Sequence, residues 1–184
     1  MEEAIRAFIA IDFPSEVVKE VARVQGVLGK KQFTGKLTEL ENLHLTLKFL
    51  GEIDKKMLGN VRKQLRKIKV RGFEASLQNA GVFSYRKKPR VVWIKVGGKG
   101  MFDLQEQVDA AMSLLKFKKE ERFMSHLTLA RVKYVKAPEE FKEYVNNLKV
   151  RDVKFDVCGF KLMKSELKLM GPVYDCLEEI ELEK

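Results

Sequence analysis

The sequence predicts an α+β fold of two lobes, a duplicated β-α-β-α-β unit with antiparallel-type sheets facing a central cleft and helices outside. Three observations carry that prediction. Apolar residues switch between a period of two and helical spacing in the same order twice. The tetrapeptide His-Leu-Thr-Leu occurs twice, 82 residues apart in a chain of 184. No Pro/Gly/Ser-rich linker separates the halves, and the join through Tyr85 to Pro89 is short. Residues 1–184 therefore read as a single two-lobed domain, with lobe-forming repeats over about 4–84 and 90–175.

The elements follow in order. Ala4 to Asp12 alternates and ends at Phe13-Pro14-Ser15, a strand stop and helix start. Val17, Val18, Val21, Val24 and Leu28 then fall at helical spacing up to the break at Gly29-Lys30-Lys31. A strand over about Leu43 to Leu50 is followed through Gly51 and Asp54 by a helix carrying Met57, Leu58, Val61, Leu65 and Ile68 on one face, and Phe73 to Ser84 is the next strand. The second half repeats the order: strand Arg90 to Val96, helix Met101 to Phe117, strand His126 to Lys133, helix Pro138 to Leu148 and strand Val153 to Lys164. A turn near Lys164-Ser165-Glu166 leads to a last strand, about Leu167 to Asp175. Two helices per half cover one sheet face and leave the other free.

Composition narrows the class. A hydrophobic content of 45% fills a core and argues against disorder. A net charge of +10 predicts an acidic partner, with nucleic acid ahead of a membrane surface. Two cysteines, Cys158 and Cys176, are too few for a disulfide scaffold or a thiolate zinc site, which points to a reduced, cytoplasmic compartment. The N-terminal Met1-Glu2-Glu3 has no basic region, and Ala7 to Ile11 is too short for a signal or a membrane span.

The two tetrapeptides carry the chemistry. The chain has only two histidines and four threonines; both histidines, His44 and His126, and two of the threonines, Thr46 and Thr128, fall in them. A strand's period of two puts His44 with Thr46 on one face, and Leu45 with Leu47 on the other. The leucines anchor the core, and the second copy does the same. Packed about a pseudo-two-fold axis with free faces together, the repeats bring two His-Thr pairs to one cleft, a template for a small anion. One neutral imidazole can act as base and one protonated imidazole as acid on a phosphodiester, while the hydroxyls donate to its oxygens. This chemistry needs no metal, and two histidines alone make a poor metal site. The symmetry of the motif leaves the acid and base roles open.

The stretch Arg6-Ala7-Phe8-Ile9-Ala10-Ile11, the run Asn42 to Glu52 around the first motif, Pro89-Arg90-Val91-Val92-Trp93, Phe123 to Arg131, and Leu167 to Tyr174 together resemble the RNA 2′,3′-cyclic phosphodiesterases. That family, also known as the 2′-5′ RNA ligases, belongs to the two-histidine phosphoesterase superfamily. The resemblance implies hydrolysis of a terminal RNA 2′,3′-cyclic phosphate to a 2′-phosphate, with 2′-5′ ligation as the reverse. It also implies His44 as proton donor to the departing 3′ oxygen and His126 as the proton acceptor that activates water. Ser125 stands where many relatives have Pro before the second histidine.

Further contacts follow from position. Lys48 continues the alternation of 44 and 46 into the cleft, to offset phosphate charge or to be solvated at the strand end. Arg131, which the resemblance places near the nucleotide, is turned away by strict alternation unless a bulge or the strand end intervenes. Between Lys55 and Lys99 stand 14 Lys or Arg against one acid, Glu74. On the second helix this run reads as a solvated face, with an RNA track as the alternative. The loop of Tyr85, Arg86, Lys87, Lys88 and Arg90, beside Phe83, is the better candidate for contacting single-stranded RNA.

The expected enzyme is a metal-independent RNA 2′,3′-cyclic phosphodiesterase. It requires no cofactor for hydrolysis, takes RNA ends including tRNA-derived ones as partner, does not associate with membranes and is a monomer. A 2′-5′ RNA ligase, whose use of a nucleotide the sequence leaves open, or a small cyclic-nucleotide phosphodiesterase, is the enzymatic alternative. An RNA-end-binding module is the non-enzymatic one.

Overall fold

The computed structural model describes residues 4–29, 33–169 and 171–184. Its elements are β1 (Ile5–Asp12), α1 (Ser15–Leu28), β2 (Thr34–Leu37), a short 3-10 turn (Leu40–Asn42), β3 (His44–Ile53), α2 (Lys55–Leu65), β4 (Phe73–Tyr85), β5 (Lys88–Gly97), α3 (Lys99–Ser113), β6 (His126–Tyr134), α4 (Pro138–Asn146), β7 (Lys154–Val157), β8 (Gly159–Lys168) and β9 (Gly171–Glu181). Lys30 and Lys31, the expected helix stop, and Met170, at the turn before β9, lie outside the described residues.

The strands pair antiparallel into two sheets, of order β3-β1-β8-β9 and β2-β6-β5-β4-β7. Apart from β2 on the outer side of β6, the orders correspond strand by strand, β3 with β6, β1 with β5, β8 with β4 and β9 with β7. The duplication is therefore real, but the lobes are not the contiguous halves 4–84 and 90–175. Each repeat lends its third strand to the other sheet: β4 pairs with β5, and β8 pairs with β1. The strand expected over Val153 to Lys164 is two strands, because the chain crosses between sheets at Cys158. The turn expected at Lys164-Ser165-Glu166 is instead continuous ladder, Ser165 pairing with Tyr174, and β9 runs on to Glu181. β2 was not expected from the sequence; it has four residues, three of them exposed, so no hydrophobic alternation marks it.

One apolar core joins the helix-facing sides of both sheets. Ile9, Leu45 and Leu47 from the first and Ile94, Leu127 and Leu129 from the second are all at most 2% exposed. Burying each such side chain is worth about 1.5–3 kcal/mol relative to leaving it in water. The helices supply the other wall by their apolar stripes, Val17, Val21, Val24 and Leu28 on α1 and Met101, Leu104, Val108 and Met112 on α3. Asp54 starts α2 by accepting the Met57 N–H at 2.6 Å, and Pro138 sits in the first turn of α4. Among the described residues no helix is long and apolar enough to cross a membrane.

Candidate active site

The two tetrapeptides begin equivalent strands, β3 and β6, and each contains the same irregularity. Ile9 pairs with Lys48 and Ala10 with Thr46, passing over Leu47; Val92 pairs with Ala130 and Trp93 with Thr128, passing over Leu129. A bulge of this kind turns two consecutive residues to one face and reverses the alternation beyond it. Leu47 with Lys48, and Leu129 with Ala130, are accordingly buried.

The bulge decides the fate of both uncertain cations. Lys48 is not in the cleft, contrary to the alternation from His44 and Thr46. It is 5% exposed, ion-paired to Asp109 of α3, and it donates to the Lys118 carbonyl. Asp109 also accepts the Glu120 N–H at 3.0 Å, so the pair ties the start of the first motif's strand to the segment leading to the second motif. Arg131 lies one residue further along the repeat and is turned into the cleft, where its charge reaches both His44 and Tyr174. Its counterpart in the first repeat is Phe49, 68% exposed with its ring 6.2 Å from Phe8.

Each imidazole is held by its own backbone. His44 Nδ1 lies 2.8 Å from the Asn42 carbonyl and His126 Nδ1 2.7 Å from the Met124 carbonyl, in both cases two residues back along the chain. A carbonyl only accepts, so each Nδ1 carries the proton and each Nε2 is left for the cleft. Asn42 is itself anchored, its side-chain amide donating to Pro172 O at 3.0 Å. Aromatic rings fix the orientation. His44 lies between Phe8 at 4.9 Å and the edge-on ring of Tyr174 at 5.2 Å, and His126 meets Phe83 edge-on at 5.0 Å. Phe83 rests on Trp93, and Trp93 occupies the space above Gly81, where an added Cβ would lie 2.3 Å from the indole.

Burial is the largest influence on both imidazoles and pushes each below its ordinary pKa. At His44 the Asn42 carbonyl and the Asp12 carboxylate pull the other way, whereas Arg131 and His126 push it further down. The strands that carry the two motifs, β3 and β6, lie against one another, so the charges of the second repeat are felt at His44. Thr46 and Thr128, half-buried, follow the histidines on the same faces. The cross-strand neighbours differ in sign: Asp12 stands opposite His44, and Lys95 opposite His126. Asp12 is also paired with Lys161 at 2.5 Å. A cavity of about 300 Å³ opens beside His44, lined by Phe8, Phe13, Met163, Tyr174, Asp12 and Asn42 among others.

Tyr85, Arg86, Lys87, Lys88 and Arg90 form the far tip of the β4–β5 hairpin rather than part of the imidazole site. Arg62 on α2 and Arg66 just past its end are ion-paired to Glu178 of β9, at 3.2 and 2.5 Å, and Lys69 beyond them lies 3.5 Å from Glu183. Phe8, Tyr174, Trp93, Gly81, Asp12, Lys95 and Asp109 were not singled out as site residues from the sequence. Each of them, Asp12 included, depends on pairing or packing between elements distant in sequence. Among the described residues no three His, Cys, Asp or Glu side chains are grouped to hold a metal.

Comparison with known proteins agrees with this geometry. The family model described as LigT like Phosphoesterase matches residues 11–93 and 96–174, one motif in each segment. An RNA 2′,3′-cyclic phosphodiesterase of Methanocaldococcus jannaschii is 34% identical over 95% of this chain and 99% of its own. One of Thermotoga maritima is 33% identical over 97% and 96%. A crystal structure from Thermus thermophilus superposes with a TM-score of 0.83 at 28% identity, covering 96% of this chain and 97% of that one. LigT of Escherichia coli, solved with 3′-AMP, shares the fold at a TM-score of 0.80 and 24% identity, over 99% and 100% of the two chains. The matches span both repeats, and the chain belongs to the family of LigT-like phosphoesterases.

Proposed function

We propose that the chain hydrolyses the terminal 2′,3′-cyclic phosphate of RNA to a 2′-phosphate, using its two histidines and no metal or cofactor. The observation that carries this reading is the matched pair of imidazoles, each with Nδ1 bound by the carbonyl two residues before it and Nε2 left for the cleft. The names borne by the relatives support RNA ends as the substrate.

Nε2 of His126 takes a proton from water, whose oxygen attacks phosphorus. The bond from phosphorus to O3′ breaks in line, and O3′ takes the proton from Nε2 of His44, leaving the phosphate on O2′. Thr46, Thr128 and Arg131 offset charge on the non-bridging oxygens. The neighbours favour this polarity. Asp12 opposite His44 stabilises an imidazolium, whereas the residue across the strand from His126, Lys95, is not a carboxylate and gives no such support. Burial disfavours the charged form of both imidazoles in the free enzyme, and the bound phosphate supplies the negative charge that favours protonation of His44.

The test is to identify the product from a cyclic-phosphate-ended oligoribonucleotide. A 2′-phosphate is expected in the presence of EDTA, with kcat lowered about 10²–10⁴-fold by His44→Ala or by His126→Ala. A 3′-phosphate product, or full activity of either variant, overturns the reading.

A further inference from the structure

The two sheets that flank the cleft differ in charge. The strands β3, β1, β8 and β9 carry five cations against seven acids, whereas β2, β6, β5, β4 and β7 carry seven cations against two acids, Glu74 and Asp156. β5 and β6 contain no acid at all, and no Asp or Glu occurs between Glu74 and Asp103. The other half of the basic run, on α2 and the segment that follows it, is partly neutralised by Glu178 and Glu183.

Beyond the bulge in β6, Arg131 and Lys133 are exposed with buried Val132 between them, so they share the cleft face. Arg90 donates to the Lys133 carbonyl at 3.2 Å, which joins this row to the end of β5. Past it lies the β4–β5 turn, where Arg86 and Lys87 adopt positive φ of 48° and 64°. A two-residue turn of this conformation prefers Asn-Gly, because side chains crowd the backbone there. Cations held at conformational cost on an exposed tip point to a charged ligand. Tyr85 is 61% exposed with the Arg86 guanidinium 5.2 Å from its ring centroid, and Tyr134, at the end of β6, is 64% exposed. Aromatic faces interleaved with cations suit stacked bases and phosphates of a single strand.

We infer that the second sheet carries the RNA strand leading to the cyclic end, from Arg131 and Lys133 to a clamp at the Tyr85–Lys88 tip. The preferred substrate is then an oligoribonucleotide rather than a cyclic mononucleotide. The inference rests on the phosphodiesterase reading above for the chemistry at the end of the strand. The Phe83 ring lies 5.0 Å from that of His126, and Tyr85 of the tip is two residues further along β4, about 7 Å at ~3.3 Å per residue. At a rise of ~3.4 Å per stacked nucleotide, the strand from the imidazole to the tip takes on the order of four or five nucleotides.

The test uses the double variant Arg86→Asn/Lys87→Gly, which removes two cations while installing the residue pair that the turn prefers. Turnover of a 2′,3′-cyclic mononucleotide, a 3-mer and a 12-mer with the same end is compared at 50 and 200 mM salt. For the wild type, a 12-mer KM about ten-fold below that of the 3-mer is expected. In the variant the ratio of kcat/KM for 12-mer over mononucleotide falls about ten-fold, and the salt slope for the 12-mer is shallower by about 1.4, at ~0.7 per lost phosphate contact. Equal KM values for 3-mer and 12-mer in the wild type, or an unchanged ratio and slope in the variant, overturn the clamp. So does capture of the wild type but not the variant by phosphatidylserine vesicles with no change in 12-mer KM. Binding of a 12-mer ending in a 3′-phosphate, weakened at least five-fold in the variant, supports the clamp independently of turnover. A wild type that turns over no cyclic end fails the phosphodiesterase reading alone.

Discussion

The first and second motifs have the same four residues, the same bulge at the fourth and the same carbonyl on each imidazole, yet they surround one cleft with unlike groups. Past the bulge the first repeat places Lys48 inside and Phe49 outside, and the second places Ala130 inside and Arg131 outside. Across the strand the first has Asp12 and the second Lys95. Duplicated backbone geometry holds the two histidines alike, and the side chains around them differ. Under the proposed mechanism a symmetric scaffold supplies an acid and a base because only the neighbours need differ.

The largest expected effect breaks the inner difference. Asp109→Ala leaves the Lys48 ammonium buried without its carboxylate and costs about 3–5 kcal/mol, read as a lower denaturant midpoint. Lys48→Met combined with Asp109→Leu loses much less; equal losses for the single and double variants refute the buried pair. Ala130, at the matching position, has no charge to satisfy.

A smaller effect tests the aromatic support of the second imidazole. Gly81→Ala drives a methyl into the Trp93 ring and costs about 1–3 kcal/mol of overpacking. Trp93 is the only tryptophan, so its fluorescence reports the shift directly. Displacement of Phe83 should lower kcat more than it raises KM, because His126 loses its orientation; unchanged fluorescence and kcat reject the link.

The smallest effects sharpen the charge difference at His44. As the proposed acid, His44 works only below its pKa, so the alkaline limb of kcat/KM follows that value. Asp12→Asn removes a carboxylate that holds it up, and the limb moves to lower pH. Arg131→Gln removes a cation that holds it down, and the limb moves to higher pH, alongside a loss of activity from weaker phosphate binding. Shifts of the same sign in both variants contradict the assignment.

Much of the candidate site is legible in the sequence, and the reason is local. His44, Thr46, His126 and Thr128 share cleft faces because alternation over three residues is a property of any strand. The helices were legible because their apolar stripes recur every three or four residues. Lys48 and Arg131 were not, because alternation fails at a bulge, and a bulge shows only in the pairing with a second strand. The extent of the last strand was hidden likewise: the half of β9 beyond Asp175, with Leu177 and Ile180 three positions apart around Glu178 and Glu179, lacks a period of two and is made extended by its ladder with β8.

By itself the sequence determined the duplication, the two His-Thr pairs and an excess of positive charge, since all are countable along the chain. Tertiary structure decided how the repeats exchange their third strands, which cations reach the cleft and where the charge is free. Those outcomes depend on contacts between residues tens of positions apart: Glu178 partly neutralises α2, Asp109 draws Lys48 inside, and pairing of β6 with β5 turns Arg131 out.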